Sequence, residues 1–432
     1  MSKELQDITA LVVDHGLFLP FAQKLGETYG RVYYYTPFEE GFPTLNRRII
    51  GDGYDKIERC NDPFDVLGEL DLAVFPDIQH SGLQLHLEAL GIPVWGSRKA
   101  DSLELDREKF LGVLKDVGLD VPEYEVVVGL SELRKHLKSA KDKFIKISFD
   151  RGSHETWHWR DRGQDEGKLD LLAVNFGAAR EYVRFLVCDS IQADLELGYD
   201  GVSIDGKFPQ TVAIQGYEAK DKAYLMAAQK YSELPDSVRA VNEAFAPVLK
   251  EYRYRNFWST EIRVNEEGVY FIDPCCRAPS PAGECQLELY SNLGEIVWAG
   301  ANGELVEPVS TANFAAQCVL SIKDEGQHWV VFNPDAKLRP WLKCGNSCEI
   351  DGKICFPPTG QRCDELGWLV ALGDTVEEAL DILNDRVALL PDGVTAHTEA
   401  LVDLLEEVHE AEEEGIQFSD EPLPEPATAL GK

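Results

Sequence analysis

Two acidic residues, Glu261 and Asp273, stand on either side of a turn-forming "NEEG" in "STEIRVNEEGVYFIDPCCRAPSP". If "FWSTEIRV" and "VYFIDP" are antiparallel strands, the connection decides what these acids can do. With five connecting residues, 265–269, Glu261 lies directly opposite Asp273. With four, Thr260 faces Asp273 and the acids point to opposite faces. Residue types and spacing leave both registers open. In the first, like charges oppose each other across the ladder, which is destabilising, and a divalent cation would relieve the repulsion. Paired carboxylates suit Mg2+, which takes oxygen ligands and shares them with substrate phosphates. In the second, they are two solvated polar residues on a hairpin. Cys275 and Cys276 follow immediately and raise a competing thiolate reading, which implies a different metal.

A second group is Cys344, Cys348, Cys355 and Cys363, in "CGNSCEIDGKICFPPTGQRC". Four thiolates could bind zinc, but the usual pattern is two tight cysteine pairs. Here the first spacing is C-x3-C and the last two cysteines lie far apart, so buried free thiols, packing as small hydrophobes, are the expectation. The chain has 10 cysteines and opens on the charged "MSKELQDITALVV". Neither feature suggests a secreted, disulfide-built protein, and a cytoplasmic location is expected.

With 432 residues, the chain exceeds one ordinary core and implies several lobes. Its 44% hydrophobic and 10% aromatic content is that of a globular protein. No apolar run approaches the roughly 18–20 residues of a membrane span, so no membrane partner is expected. Lys and Arg number 42 against 76 Asp and Glu, a net charge of −34. Such a surface repels phosphate backbones, so nucleic acid is not an expected partner. It remains compatible with a local basic pocket for one nucleotide.

The elements that must hold these residues follow from pattern. "ITALVV" reads as a buried strand, "FLPFAQKLGETYG" as a helix, "RVYYYTP" and "DLAVFPD" as strands, "SGLQLHLEALG" as a helix and "IPVWGS" as a strand. This alternation implies an α/β unit with a parallel sheet. No G-x-G-x-x-G opens its first turn, which argues against a dinucleotide site there. Apolar positions recur at helical spacing over 101–117, with Gly118 as the stop. "EYEVVV" and "KFIKIS" are expected strands around a helix with Ser131 as its possible N-cap, and "FDRGSHE" is a turn. Strands and hairpins fill 180–218, with "DG" turn signals at 200–201 and 205–206. A helix capped by Asp236 or Ser237 precedes the acidic strand pair, 256–275. From about 311 the chain reads β-rich and ends in a helix, with Thr375 and Glu378 at capping-box spacing.

The order of these pieces resembles the ATP-grasp superfamily, in particular its phosphoribosylamine–glycine ligase branch. "GIPVWGSRKADSLELDREKFLGVLKDVGLDVPEY" is similar to that family's linker into the ATP lobe, and it is the most specific piece. "KFIKIS" resembles the strand whose lysine, here Lys146, reaches the ATP phosphates. Lys109 aligns with a family lysine on the preceding helix. "FDRGSHETWHW" occupies the place of the glycine-rich flap, which implies phosphate contacts from Arg151, Gly152 and Ser153. "FLVCDSIQADLEL" resembles the hinge that holds adenine and ribose, which implies roles for Asp189 and Glu196. "STEIRVNEEGVYFIDPCCRAPSP" resembles the strand pair that ends in the metal ligands, which implies Mg2+ on Glu261 and Asp273 and phosphate or acyl-phosphate contact by Arg277. Lys220, in "GYEAKDKAYL", lies where a loop would close over the γ-phosphate.

The resemblance implies an ATP-grasp fold of the α/β class with α+β lobes. Its parts would be an N-terminal α/β domain over 1–98, ATP-grasp lobes over 99–310, a C-terminal β-rich domain with a helix over 311–415, and a polar, Pro-rich, disordered tail over 416–432. It also implies an ATP- and Mg2+-dependent carboxylate–amine ligase that works through an acyl-phosphate on small-molecule carboxylate and amine substrates, with a homo-oligomer as a possible assembly. Some positions depart from the family pattern. Cys275 stands where the family places a metal-binding asparagine, Asp273 replaces a glutamate, the flap has one glycine, and the hinge reads Cys188–Asp189. These departures imply the alternative: a degenerate ATP-grasp protein that binds nucleotide as a scaffold or regulator.

Overall fold

The computed structural model describes residues 3–36, 49–148, 156–193, 195–323, 328–358, 365–419 and 423–424. The N-terminal strands β1 (Thr9–Val13), β2 (Arg31–Tyr35), β3 (Glu58–Arg59), β4 (Leu72–Val74) and β5 (Val94–Trp95) form a parallel sheet in the order β3-β2-β1-β4-β5. The unbroken apolar run of β1 has a direct cause: both faces are covered. Ala10 and Val12 pack with Phe21 and Leu25 of α1 (Leu19–Leu25). Leu11 and Val13 pack in the cluster that contains Leu87 of α2 (Ser81–Ala89).

The "GSRKA" turn ties this sheet to the rest of the molecule. Arg98 is wholly buried and donates to Glu88 and to the carbonyls of Val94 and Gly96. Gly96 and Arg255 exchange backbone hydrogen bonds of 2.8 and 3.3 Å. The helix expected over 101–117 is two helices, α3 (Asp101–Leu105) and α4 (Arg107–Asp116). The break is at Asp106, which leaves helical geometry and caps α4, its carboxylate accepting from the Lys109 N–H at 3.2 Å.

Next comes a four-stranded antiparallel sheet, ordered β6-β9-β7-β8. It comprises β6 (Tyr124–Val128), β7 (Lys143–Ile147), β8 (Thr156–Trp159) and β9 (Arg184–Asp189), with α5 (Leu130–His136) and α6 (Arg162–Phe176) between the strands. α5 begins at Leu130 behind Gly129, and Ser131 bonds Glu181 rather than capping the helix. 

The largest sheet runs β14-β13-β10-β11-β12-β15-β20-β17, with β21 beside β15. Its strands are β10 (Leu195–Ile204), β11 (Ala213–Ala219), β12 (Ala223–Gln229), β13 (Arg255–Asn265), β14 (Gly268–Cys275), β15 (Phe314–Ile322), β17 (Leu342–Lys343), β20 (Glu365–Gly373) and β21 (Val394–Ala396). The chain beyond 311 therefore extends this sheet. It also adds a small sheet of β16 (Val330–Phe332), β18 (Cys348–Ile350) and β19 (Lys353–Phe356). Helices α7 (Asp236–Glu251), α8 (Gly283–Leu289), α9 (Leu293–Ala301), α10 (Val376–Val387) and α11 (Ala400–Glu413) complete the fold. The Thr375 hydroxyl accepts from the Glu378 N–H, as the capping spacing predicts.

Two further local readings change. Asp200–Gly201 is not a turn but lies inside β10, and only Asp205–Gly206 turns the chain, both residues with positive φ. Gly201 serves close approach, since a Cβ there would come within 2.4 Å of the Tyr199 hydroxyl. At the C-terminus, Phe418 is 3% exposed and meets Tyr217 and Phe314 edge-on or tilted. The tail, expected to be disordered from 416, thus begins with a packed residue. No helix among the described residues is long and apolar enough to cross a membrane.

Candidate active site

One face of β13–β14 is anchored in an aromatic core. Phe271 packs edge-on against Phe110 and Phe245 at 5.1 and 5.0 Å between ring centroids, and Trp258 joins them at 6.0 Å. Each such buried ring contributes about 1.5–3 kcal/mol through burial. Alternation along the strands then forces the intervening residues onto the opposite face.

The hairpin settles the register in an unexpected way. The ladder closes at Asn265 opposite Gly268, so only Glu266 and Glu267 make the turn. Asn265 holds it, its side-chain oxygen accepting from the N–H groups of Glu267 and Gly268 at 2.9 and 3.1 Å. Continued without interruption, that pairing would set Thr260 opposite Asp273. A bulge intervenes: Ile262 faces Phe271 but Glu261 faces Asp273, leaving Ile272 as the extra residue. The bulge re-aims the acid and frees the Ile272 carbonyl, which accepts from Lys146 Nζ at 3.1 Å. Lys146 of β7 thus reaches the acid pair from the smaller sheet.

Register carries the same face onward. Gly198 lies opposite Glu261, Asp200 opposite Ser259 and Glu196 opposite Arg263. Ser259 in turn lies opposite Cys275. Glu196, Asp200, Glu261, Asp273 and Cys275 therefore share one face. Tyr224 folds over Gly216 to hydrogen-bond Asp200, and a Cβ at Gly216 would lie 1.8 Å from that hydroxyl. Burial, reinforced by the charges of Glu196 and Asp273 and opposed by Lys146 and Arg263, pushes Glu261 up to about 7. Desolvation, then Asp200 and Glu261, also push Glu218 up to about 7 against Lys220, although Glu218 keeps a solvent-facing side.

The remaining expected residues are distributed as follows. Arg277 donates from Nε to Glu104 at 2.9 Å and lies 3.8 Å from Asp77. Glu104 also accepts from the Cys276 N–H at 2.7 Å, which fixes the chain just past the acids. Lys220 lies in the turn between β11 and β12, near Glu218. Glu196 is half-exposed and pairs with Arg263 at 3.0 Å. Asp189 pairs with Lys143 on the adjacent strand. Lys109 turns to Ser102 at 2.7 Å and lies over the Tyr252 ring, so its ammonium is engaged on the outer side of α4. Arg151, Gly152 and Ser153 lie outside the described residues.

Arg107 was not anticipated. It is 2% exposed, its backbone N–H donates to Ser148 Oγ at 3.0 Å, and its guanidinium pairs with Asp273. The available signal was its place directly after the Asp106 cap, where the helix begins and the side chain turns inward. Cys275 is partly exposed, its Sγ donating to the Arg277 carbonyl at 3.7 Å, and Cys276 is wholly buried.

Among the described residues no group of three or more Asp, Glu, His or Cys side chains is arranged as a metal cluster. Two carboxylates suffice for Mg2+ when water and phosphates supply the other ligands. Burial, and then the charges of Glu196 and Asp273, keep Glu261 reluctant to ionise, and a bound cation relieves both, so the donor set fits. In the N-terminal sheet the strand order reverses between β1 and β4, and small ligands bind at such a point, beyond the carboxyl ends of the strands. Asp14, His15, Asp77 and His80 stand there, with the two imidazoles stacked at 4.8 Å.

These sheets and their order define the ATP-grasp fold, and solved structures share it over about nine-tenths of the chain. Phosphoribosylamine–glycine ligase from Thermotoga maritima is 16% identical, with a TM-score of 0.66 over 90% of this chain and 98% of that one. Biotin carboxylase from Campylobacter jejuni, solved with β,γ-ATP, is 14% identical, with a TM-score of 0.64 over 93% and 96% of the two chains. L-amino acid ligase from Bacillus licheniformis is 15% identical, with a TM-score of 0.60 over 90% and 99%. No protein-family profile and no curated protein matches by sequence.

Proposed function

We propose that the protein is an ATP- and Mg2+-dependent carboxylate–amine ligase. The observation that carries this reading is the bulged hairpin, which sets Glu261 opposite Asp273 and offers its freed carbonyl to Lys146. Solved neighbours in the fold include two ligases, and a biotin carboxylase that shares the fold is a complex with β,γ-ATP. A substrate carboxylate oxygen attacks the γ-phosphorus of ATP, ADP leaves, and an acyl-phosphate results. An amine nitrogen then attacks the acyl carbon, and phosphate and a proton leave.

Lys146 binds the phosphates as a point charge, and Arg277, oriented by Glu104, holds the transferred phosphoryl group or the acyl-phosphate. Lys220 closes over the γ-phosphate. Asp189 and Glu196 take the nucleoside, and Arg151, Gly152 and Ser153 the phosphate side. Lys109 needs to swing away from Ser102 to join them. Glu261 and Asp273 hold Mg2+, which neutralises charge on the phosphates when bound. Positioning and electrostatics then supply most of the catalysis.

A second reading has its own observations: Cys275 at the asparagine position, and Arg107 already paired with Asp273. A cation built into the protein at that acid is what a nucleotide-binding scaffold without ligase activity would show. One experiment separates the two. ATP with Mg2+ should raise the melting temperature, and a screen of carboxylic acids against amines should release ADP. A melting shift without ADP release for any pair selects the scaffold, and no shift at all rejects both.

A further inference from the structure

The adjacent carboxyl ends of β1 and β4 carry groups that the chemistry above leaves unused. Asp14 is wholly buried, and its carboxylate accepts from the Gly16 and Phe18 N–H groups at 2.9 and 3.0 Å and from the Tyr34 hydroxyl at 2.7 Å. These bonds fix the loop that carries His15. In the loop after β4, residues 76–80, Gln79 has a φ of 82°, a left-handed shape that a side chain disfavours and that persists where the surroundings impose it. There His80 sets its Nε2 2.9 Å from His15 Nε2. At that distance only one of the two nitrogens can carry a proton, so one ring donates and the other accepts. Burial, then His15, pushes His80 down to about 4 against Asp77, so it is a neutral ring at pH 7.

This corner reaches the phosphate end of the candidate active site. The Ala278 N–H donates to the Pro76 carbonyl at 2.8 Å, and Arg277 Nε lies 3.8 Å from Asp77 Oδ1. Asp77 Oδ1 also accepts from the Ile78 N–H at 2.8 Å, and no hydrogen bond among the described residues reaches Oδ2. The side chains of Asp77 and Arg277 are 16% and 23% exposed, and His15 and His80 are partly exposed too. We propose that Asp77 docks the amine acceptor of the ligase and that His80 relays its proton, with His15 as the positioning partner. The proposal rests on the ligase reading above and adds the proton acceptor and the substrate class, a small primary amine that arrives as ammonium. In the tautomer that donates through Nε2 to His15, His80 holds a lone pair on Nδ1. The ammonium binds Asp77 Oδ2 and gives one proton to water. Its nitrogen then attacks the acyl carbon, turns acidic as the C–N bond forms, and passes a proton to His80 Nδ1. The C–O bond to phosphate breaks, and the imidazolium returns the proton to the departing phosphate on Arg277. A ring that holds its proton weakly suits such a relay.

Nuclear magnetic resonance of histidine-labelled protein tests the docking without nucleotide. The His80 ring should be protonated on Nε2, and His15→Phe should lose that preference. Methylammonium, the smallest primary ammonium, should shift the His80 signals saturably, and tetramethylammonium, with no N–H, should not. Asp77→Asn should abolish the shift. A His80 ring protonated on Nδ1, no effect of methylammonium, equal effects of the two cations, or an unchanged effect in Asp77→Asn overturns the proposal. Turnover tests the relay. With an acid and amine that release ADP, His80→Ala should lower kcat on the order of 100-fold and regain at least about tenfold with added imidazole. His80→Gln, which keeps a polar side chain, should show the same loss, and both variants should keep the wild-type melting shift with ATP and Mg2+. Rescue should grow with the basicity of substituted imidazoles. Full turnover in His80→Ala, or rescue that follows imidazole size alone, marks a packing role and overturns the proposal. Methylammonium binding without ADP release from any acid and amine overturns the ligase reading and the relay, and leaves only the docking at Asp77.

Discussion

Two cross-strand pairs invite comparison. Glu261 faces Asp273 across β13–β14, and Cys348 faces Cys355 across β18–β19. Both are pairs of metal-ligating residue types, and burial raises the pKa of Glu261 and of both thiols. Their surroundings separate them. The acids have Lys146, Arg263 and Arg107 close by, so ionised carboxylates have cationic partners. The thiols act as donors: Cys348 Sγ to the Cys355 carbonyl at 3.5 Å, and Cys355 Sγ to the Lys353 carbonyl at 3.6 Å. Burial pushes Cys348 up to about 11 and Cys344 up to about 12, which keeps them protonated and poor ligands. Cys363 lies outside the described residues. Residue type alone does not make a metal site. Counter-charge and an acceptor-only protonation state do.

The largest effect should come from the cation that closes the acid pair. Lys146→Ala should lower ADP release on the order of 100-fold, the size expected for one preorganised donor to a reacting phosphate, and should shrink the ATP-dependent melting shift. Normal turnover in this variant would detach Lys146 from the chemistry. Glu261→Gln sharpens the comparison through opposite signs. Without ligand it should melt on the order of 2 °C higher at pH 8, because a crowded charge is gone, while the Mg2+-dependent part of the ATP shift disappears. A Mg2+ effect that survives would place the cation elsewhere.

Much of this architecture could be read from the residues. "ITALVV" announces a strand buried on both faces, and the acidic hairpin shows its two-residue period. The parts that could not be read have physical causes. The bulge at Ile272 has no signature, since an extra isoleucine in an apolar strand looks like any other; only the aromatic core beneath Phe271 forces it. Arg107 was missed because apolar spacing runs through Asp106 as if one helix continued, whereas the Asp106 cap starts a second helix and turns the guanidinium inward. Glu104 stands in the same interrupted stretch, and its partners, Cys276 and Arg277, are more than 170 residues away in the chain. Asp200–Gly201 looked like a turn because what holds it extended is the pairing of Asp200 with Ser259 and Gly201 with Trp258, nearly sixty residues further along the chain.

The pH dependence of stability tests the acid side more gently. Glu261 titrates at about 7 in the folded protein against an ordinary 4.5, so between those values the folded state holds a proton that the unfolded state has lost. Stability should then fall as pH rises through that interval, by on the order of 2 kcal/mol. Glu218 adds to it with the same sign. Urea titrations at pH 5 and pH 8 measure the fall. Glu261→Gln should flatten it, and a stability that rises with pH would mean that Glu261 is ionised throughout.

The thiol side should respond least. Cys348→Ser keeps a donor in reach of the Cys355 carbonyl, so burying the more polar hydroxyl should cost only about 1 kcal/mol, the low end for a buried polar group that retains a hydrogen bond. The cost should be the same at pH 5 and pH 8, because neither the thiol nor the hydroxyl ionises there, and a chelator should not alter it. The ATP–Mg2+ melting shift should match that of the wild-type protein. Stoichiometric zinc in the purified protein, lost on this substitution together with several kcal/mol of stability, would turn the thiol ladder into a metal site and remove the contrast with the acids.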